Sequence, residues 1–207
     1  MAPTSTAEPR KRPRQTRSTE TVDRILAAAA RIFDERGYRA TTTNHVAAEA
    51  GVSIGSLYQY FPNKDALLVA LAEQHIADAA ERFGGHLTRL REERPGLGAT
   101  VRSLVELTVA LNDTSRLHAV LFSDCPRTPA LTDRLDQFTD MLVSEVSWHL
   151  DRTGSGGPDP HLRARLVVAA VDAAVHEVVL TVPPGRRRVA ATTALIDLVI
   201  GGLTPSV

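Results

Sequence analysis

The fold is decided by residues 42–64, which read TTNHVAAEAGVSIGSLYQYFPNK. Two threonines that can cap a helix precede small apolar residues at helical spacing, and Gly51 follows where a helix end requires a left-handed residue. Ser53 can cap a second, short helix, in which Leu57 and Phe61 lie four residues apart and therefore face inward. The stretch predicts a helix, a tight turn and a second helix.

The second helix leaves small, hydroxylated and aromatic residues for its outer surface. Such groups can donate to phosphates or to base edges in the major groove, so we expect this helix to read DNA, with Gln59 as the base reader. Lys64 follows the Asn63 cap of the next helix, and the helix dipole disfavours a cation at this position. A nearby DNA phosphate would explain why a lysine stands there. An ordinary αα-hairpin is the alternative. The expected DNA contacts are Thr42, Thr43, Ser53, Gly55, Ser56, Tyr58, Gln59, Tyr60 and Lys64, with Arg14 and Arg17 from the N-terminal arm.

The segment ATTTNHVAAEAGVSIGSLYQYFPNKDALL, residues 40–68, resembles the DNA-binding segment of the tetracycline-repressor (TetR) family of bacterial transcription regulators. The resemblance covers roughly residues 20–70, and Ile54 departs from it because many members carry a polar or basic residue there. It implies a homodimeric repressor that binds a palindromic operator and is released by a small-molecule effector. Operator and effector stay unidentified.

Composition supports an all-helical protein. The 207 residues are 43% hydrophobic but only 4% aromatic, and alanine-rich helical periodicity recurs throughout. The formal net charge is zero, yet residues 1–64 hold ten Lys and Arg against six Asp and Glu, while the remainder holds fourteen against eighteen. This asymmetry favours a nucleic-acid-facing N-terminal part. A single cysteine and the lack of an uninterrupted apolar run predict a cytoplasmic chain without a membrane span.

Three regions follow from the pattern. Residues 1–17, with three prolines and five basic residues, predict a disordered basic arm that either stays solvated or reaches phosphates or the minor groove. Residues 18–64 predict a three-helix DNA-binding domain whose first helix spans 18–36 and ends at Gly37. Residues 65–207 predict a helical bundle for ligand binding and dimerisation. Its helices, bringing the total to about nine, are expected near 65–94 (with a break possible at Gly84-Gly85), 99–111, 115–123, 129–152, 161–182 and 186–201.

The last two predicted helices are apolar on nearly every side. A helix that is apolar all round must be buried all round, and a second subunit is the simplest cover for the outer face. The predicted dimer contacts are Leu166, Ala170, Ala173, Ala174, Val178, Leu195, Leu198 and Val199.

The middle helices carry an excess of large apolar residues with a few polar groups among them, a mixture typical of ligand pockets. A filled core with surface histidines explains the same residues equally well. If there is a pocket, an uncharged or weakly basic, partly aromatic compound suits its walls. The predicted effector contacts are Leu104, Thr108, Leu111, His118, Leu121, Phe122, Phe138, Met141, Leu142, Glu145, Trp148, His149 and His176.

Other classes of site find little support. Residues 154–157, GSGG, lie between two predicted helices and lack phosphate-loop spacing. A helical enzyme that retains a vestigial helix-turn-helix is the alternative function, but no catalytic cluster can be assembled, so we expect no enzyme and no cofactor. The seven histidines are scattered without a zinc motif, so no metal is expected. Asp172 and His176, four residues apart, bind either a cation or, more simply, each other. Cys125 is either a redox thiol or a small hydrophobe. A helix-turn-helix used for protein contact is disfavoured by the basic arm.

Overall fold

Every regular element in the described part of the chain is a helix, as the sequence predicts. The structure is a computed structural model that describes residues 13–112 and 116–204, with side chains from residue 18 onward except those of residues 116 and 122. The elements are α1 Pro13–Ala40, α2 Thr43–Ala50, α3 Ile54–Tyr60, α4 Lys64–Glu93, α5 Leu97–Asn112, α6 Arg116–Asp124, α7 Pro129–Arg152, α8 Pro160–Ala174, a π-helical segment Val175–Val179 directly after α8, and α9 Arg186–Leu203.

The predicted caps form the helix-turn-helix. The Thr42 hydroxyl accepts a hydrogen bond from the His45 amide at 3.3 Å, and α2 ends at Gly51, whose φ of 64° is left-handed. The Ser53 hydroxyl accepts from the Ser56 amide at 3.0 Å and so caps α3. The next cap, predicted at Asn63, is also present, because the Asn63 side-chain oxygen accepts a hydrogen bond from the Ala66 amide of α4 at 2.8 Å.

The first helix is longer than predicted. It begins at Pro13, so residues 13–17, which we assigned to a disordered arm, have helical backbone. Proline is favourable in the first turn of a helix, and no helix breaker follows it, which explains the earlier start. Residues 1–12 and the side chains of Arg14 and Arg17 lie outside the described part. At Gly37 the chain kinks, with φ 73° and ψ 169°, and helical structure resumes through Ala40.

The chain divides into two compact units, which we describe separately. The first comprises the residues up to 71 together with 119–126, and the second comprises 72–118 and 127–207. The division falls within α4, whereas the predicted boundary lies at its start. In the first unit α2 contacts both α1 and α3. Its completely buried large side chains are Ile25, Phe33, Val46, Leu57, Leu67 and Leu68.

The second unit contains two apolar clusters. In the larger one, α7 packs on α8 and α5 packs on α9, around Val105, Val143, Leu150, Val175 and Ile196 among others. The smaller one lies where α4, α5 and α7 meet, around Phe83, Leu87, Leu90 and Leu111. Helix α4 runs without interruption through the two glycines at 84 and 85. None of the helices in the described ranges is long and apolar enough to cross a membrane.

Candidate functional site

The outer face of α3 carries the groups predicted to read DNA. Tyr58 is 51% exposed, and Gln59, Gly55 and Ser53 are exposed as well. The Tyr58 hydroxyl shares a hydrogen bond of 3.0 Å with the Thr43 hydroxyl, which ties α3 to the first turn of α2. The exposed groups on this face are therefore held in a defined orientation.

Two predicted contacts on α3 are less accessible than expected. Tyr60 is half-buried, and its hydroxyl accepts a hydrogen bond from the Ser18 hydroxyl of α1 at 3.4 Å. It lies next to the buried Phe61, so the side chain turns toward α1 and away from the reading face. The Ser56 hydroxyl shares a 2.8 Å hydrogen bond with the Ser53 hydroxyl, which makes this pair part of the capping arrangement of α3.

Lys64 has partners within the protein. Its ammonium donates to the carbonyl oxygens of Tyr38 at 3.0 Å and Thr41 at 3.4 Å, and it lies 4.1 Å from the centroid of the Tyr38 ring. The Tyr38 ring packs against Phe33, and its hydroxyl donates to Asp65. These carbonyls and the ring explain a cation at the start of α4 without a bound anion.

Five of the apolar residues predicted to bind an effector lie together. Leu104, Phe138, Met141 and Leu142 pack around the smaller cluster of the second unit, to which Leu111 belongs. Thr108 lies on the same helix as Leu104 and donates its hydroxyl to the Leu104 carbonyl. Leu121 is grouped with the first unit, and the side chain of Phe122 lies outside the described part.

The polar residues predicted for the same cavity separate into two further groups. In the first, Glu145 accepts two hydrogen bonds from Arg91, at 2.6 and 3.0 Å. The guanidinium groups of Arg91 and Arg152 both lie over the Trp148 ring, at 4.7 and 5.6 Å from its centroid. His149 is 2% exposed, and neither of its ring nitrogens has a hydrogen-bond partner. Burial, with Arg152 nearby, lowers the pKa of His149.

The second polar group is a histidine cluster formed by His75, His118 and His176. The ring centroids of His75 and His118 are 5.2 Å apart, and those of His118 and His176 are 5.0 Å apart. Burial, together with the neighbouring imidazoles, lowers the pKa of His118 to about 4. Burial opposes charge on His176 too, but its hydrogen bond to Asp172 outweighs burial and raises the pKa of His176.

The cluster contains one predicted pair and one residue that sequence reasoning missed. The expected hydrogen bond between Asp172 and His176 is confirmed, with 3.2 Å between the His176 Nδ1 and the carboxylate. His75 stands 43 positions before His118, and no periodic signal connects them. Within the described ranges, no group of three or more His, Cys, Asp or Glu side chains could hold a metal ion.

The residues predicted for a dimer interface divide by exposure. Leu166, Val178 and Leu198 are 63%, 57% and 74% exposed, and Ala170 and Ala173 are exposed. Leu195 is only 8% exposed because it belongs to the core of its own unit, so little of its side chain is left for an interface. Ala174 and Val199 pack partly against the same core. Sequence reasoning missed two exposed apolar residues, Leu162 and Val189, although Leu162 lies one helical turn before Leu166.

A cavity of about 310 Å³ lies between α5 and α9, and its lining residues include none of the predicted effector contacts. Val109, Val189 and Thr192 are among its lining residues, and Glu106 and Arg188 bring charge to it. Arg188 is nearly buried and donates to the carbonyls of Val182 and Leu180, so it also fixes the turn before α9. Sequence spacing gave no signal for this cavity. Elsewhere, Cys125 is half-buried, and its thiol lies 3.8 Å from the Pro126 carbonyl.

Comparison with known proteins identifies the family. Residues 25–71 match the profile described as bacterial regulatory proteins, tetR family. Residues 93–202, more than half of the chain, match the profile described as tetracyclin repressor-like, C-terminal domain. The chain therefore belongs to the TetR family of bacterial regulatory proteins.

Individual relatives agree with this assignment. The chain is 29% identical over 142 residues to the transcriptional regulator CymR of Pseudomonas putida, covering 68% of this chain and 69% of CymR. It is 25% identical over 147 residues to the transcriptional activator FasR of Mycolicibacterium smegmatis, covering 71% of this chain and 65% of FasR. Among the first three curated relatives, the matched segments span 20%, 29% and 65% of the relative's length.

A solved structure shares the fold. FadR from Bacillus subtilis, determined in complex with stearoyl-CoA, superposes with a TM-score of 0.64 at 20% identity, covering 87% of this chain and 98% of that chain.

The buried His149 predicts a pH-dependent stability. Its pKa is lowered in the folded state, so below the ordinary value near 6.5 the unfolded chain takes up a proton that the folded chain does not, and stability falls as the pH drops. His149→Leu should reduce this dependence, leaving the part that comes from His118, whose pKa is lowered too. It should also remove two unsatisfied nitrogens, raising the free energy of unfolding by about 1 kcal/mol at pH 7 and by more at pH 5. Urea unfolding at several pH values measures both effects. The exposed His161→Leu is the control, and equal acid sensitivity of wild type and His149→Leu would contradict the assignment.

Proposed function

We propose that this protein is a sequence-specific transcription regulator, acting as a homodimeric repressor that a small molecule releases from its operator. The proposal rests chiefly on one observation, the exposed face of α3. This face presents Tyr58 and Gln59 outward, while Leu57 on the opposite face is completely buried. A short helix anchored in this way suits insertion into the major groove. The role is regulatory rather than catalytic, in line with the family.

The proposed DNA contacts fall into base contacts and phosphate contacts according to their side-chain chemistry. The Gln59 amide can donate and accept toward a base edge, whereas hydroxyls such as those of Thr42 and Thr43 suit phosphate oxygens. Arg14 and Arg17 remain candidates for phosphate contacts from the arm. Lys64, whose ammonium already binds two carbonyl groups, is assigned to holding the start of α4, with any phosphate contact secondary.

Selection of bound sequences from random DNA tests this function directly. We expect a palindromic sequence, with Gln59→Ala relaxing the preference at one position per half-site and costing about 1–3 kcal/mol. Gly55→Ala should leave the fold intact, because an added methyl would meet only the Ser53 hydroxyl at 3.9 Å. It should nevertheless weaken binding wherever the α3 backbone approaches a phosphate closely. Gln74→Ala, exposed on α4 in the second unit, is the control. No enriched sequence, or unchanged preference in Gln59→Ala, would contradict the proposal.

A dimer interface is proposed on the exposed apolar surface of α8 and α9. Large side chains such as Leu162, Leu166 and Leu198 are more than half exposed there, and exposed alanines lie between them. Apolar exposure of this extent is typical of an interaction surface, and small residues let two helices approach closely. A second copy of the chain is the simplest cover, because a twofold contact presents the same surface from both sides and matches a palindromic operator.

Substitution of one alanine by a charge tests the interface. Ala173→Arg would place an unpaired charge in the proposed contact, so the variant should sediment as a monomer at micromolar concentration while wild type sediments as a dimer. Ala77→Arg makes the same exchange at an exposed position of α4 and should leave the dimer unchanged. A monomeric wild type, or loss of the dimer in both variants alike, would refute this assignment.

The effector site is proposed among the residues around the smaller apolar cluster of the second unit. Phe138, Met141 and Leu104 are only half-buried there, so they supply flexible apolar walls at modest cost in packing. The stearoyl-CoA complex of FadR supports a mainly apolar ligand for a protein of this fold. Aromatic weak bases and acyl thioesters, stearoyl-CoA among them, are therefore the first compounds to try.

Operator release measured over such a compound set tests the site. For an active compound, Met141→Ala should shift the concentration for half-release about tenfold, without changing operator affinity in its absence. Val168→Ala, half-buried against the other cluster, is the matched control. A release curve that is identical for wild type and Met141→Ala would show that the effector binds elsewhere.

A further inference from the structure

Among the described residues, the polar group around Trp148 contains buried nitrogen atoms without hydrogen-bond partners. His149 is 2% exposed, and neither of its ring nitrogens is hydrogen-bonded within the part of the chain that the structure describes. The Nε of Arg152 is buried and unpaired in the same sense. His149 and Arg152 stand three positions apart on α7, so they are neighbours on one face of that helix. Buried polar atoms are nearly always hydrogen-bonded, and exceptions in one place call for an explanation.

A net positive charge lies beside His149. Arg91 is paired with Glu145 through two hydrogen bonds, whereas Arg152 donates to two main-chain carbonyl groups, which are neutral. Both guanidinium groups lie over the Trp148 ring, whose centroid is 4.7 Å from that of the His149 ring. Burial lowers the pKa of His149 and keeps its imidazole neutral. These five side chains therefore carry two positive charges and one negative charge.

The unpaired nitrogens lie at one end of the smaller apolar cluster of the second unit. The ring of Phe83 on α4 packs edge-on against that of Phe138 on α7, at 5.7 Å between centroids. About two turns further along both helices, Arg91 binds Glu145. The two helices therefore run in the same direction from the apolar cluster to the polar group. Leu142, which packs against the cluster, lies about 10 Å before the buried histidine on the same face of α7.

The chemistry of these nitrogens selects an anionic acceptor. A neutral imidazole offers one N–H, the Nε of Arg152 offers a second, and the two oxygens of a carboxylate can accept from both. Hydrogen bonds that involve ionised groups are roughly twice as strong as neutral ones, so a carboxylate gains more here than an alcohol does. The net positive charge favours the carboxylate further and repels the ammonium group of an amine.

We propose that the ligand of the second unit is an amphipathic carboxylate, whose head group accepts hydrogen bonds from His149 and Arg152 and whose apolar part extends past Leu142 into the smaller apolar cluster. The inference rests on the effector site proposed above and names the chemical class of its ligand. The separation of about 10 Å between head and cluster suits an apolar chain of roughly eight to ten carbon atoms, or rings of similar length.

Three ten-carbon compounds that share a tail test the head group. Decanoate, 1-decanol and decylamine are titrated by calorimetry into the full chain without DNA, and decanoate should bind once per chain, about tenfold more tightly than the other two. His149→Leu should weaken decanoate about tenfold and leave it no tighter than decanol. Met141→Ala should weaken all three compounds alike, because it alters only the wall that contacts the tail. His161→Leu, exposed on α8, should bind as wild type does.

Arg152→Lys provides a second variant, because it keeps the positive charge but lacks the Nε donor. It should weaken decanoate more than decanol. Equal affinity of wild type for decanoate and decanol, no decanoate binding at millimolar concentration, or an unchanged preference in both His149→Leu and Arg152→Lys overturns the inference.

Operator release is measured separately, so the two proposals can fail independently. Decanoate that binds through His149 without releasing the operator supports the inferred ligand class and contradicts the proposed release. Release by a compound of another class, with no binding of decanoate, leaves the proposed function standing and overturns the inference.

Discussion

Burial of Leu57 beneath α3 is the constraint on which the proposed DNA interface depends. Helix α3 has only seven residues, too few to be stable alone, so its helicity depends on tertiary packing. Complete burial of Leu57 contributes about 1.5–3 kcal/mol, and the Ser53 cap contributes about 1 kcal/mol more. With one side fixed in the core, residues 58 and 59 must project from the other. The exposed side of α3 is therefore held in place by the packing of Leu57 on its buried side.

Features set by neighbours along the chain could be predicted from the sequence. The caps at Thr42, Ser53 and Asn63 and the helix end at Gly51 depend on residues three or four positions apart, so local chemistry specifies them. The sequence predicts helix α7 with its observed limits, because a proline begins it and a glycine-rich loop follows it. The start of α1 was wrong because a proline in a first turn permits a helix that basic composition alone argues against.

Features set by distant parts of the chain could not be predicted. Tyr60 turns toward Ser18 of α1, and Lys64 donates to carbonyls near the end of α1. Neither contact produces a periodic pattern in the sequence. Leu195 was placed in an interface because α9 is apolar on several sides, and only the packed unit distinguishes its core side from its exposed side. His75 joins His118 and His176 by the same kind of long-range convergence.

The chain has a single tryptophan, and its surroundings give it a further use. Trp148 on α7 contacts guanidinium groups contributed by α4 and by the end of α7 itself, and one of them, that of Arg91, is also bound to Glu145. Its intrinsic fluorescence therefore reports on one place only, the junction of α4 and α7, without any label. Nearby cations alter the emission of an indole. A displacement of α4 relative to α7 would therefore change the wavelength and the intensity of the Trp148 emission. Trp148 is therefore an intrinsic fluorescence probe of conformational change within the second unit.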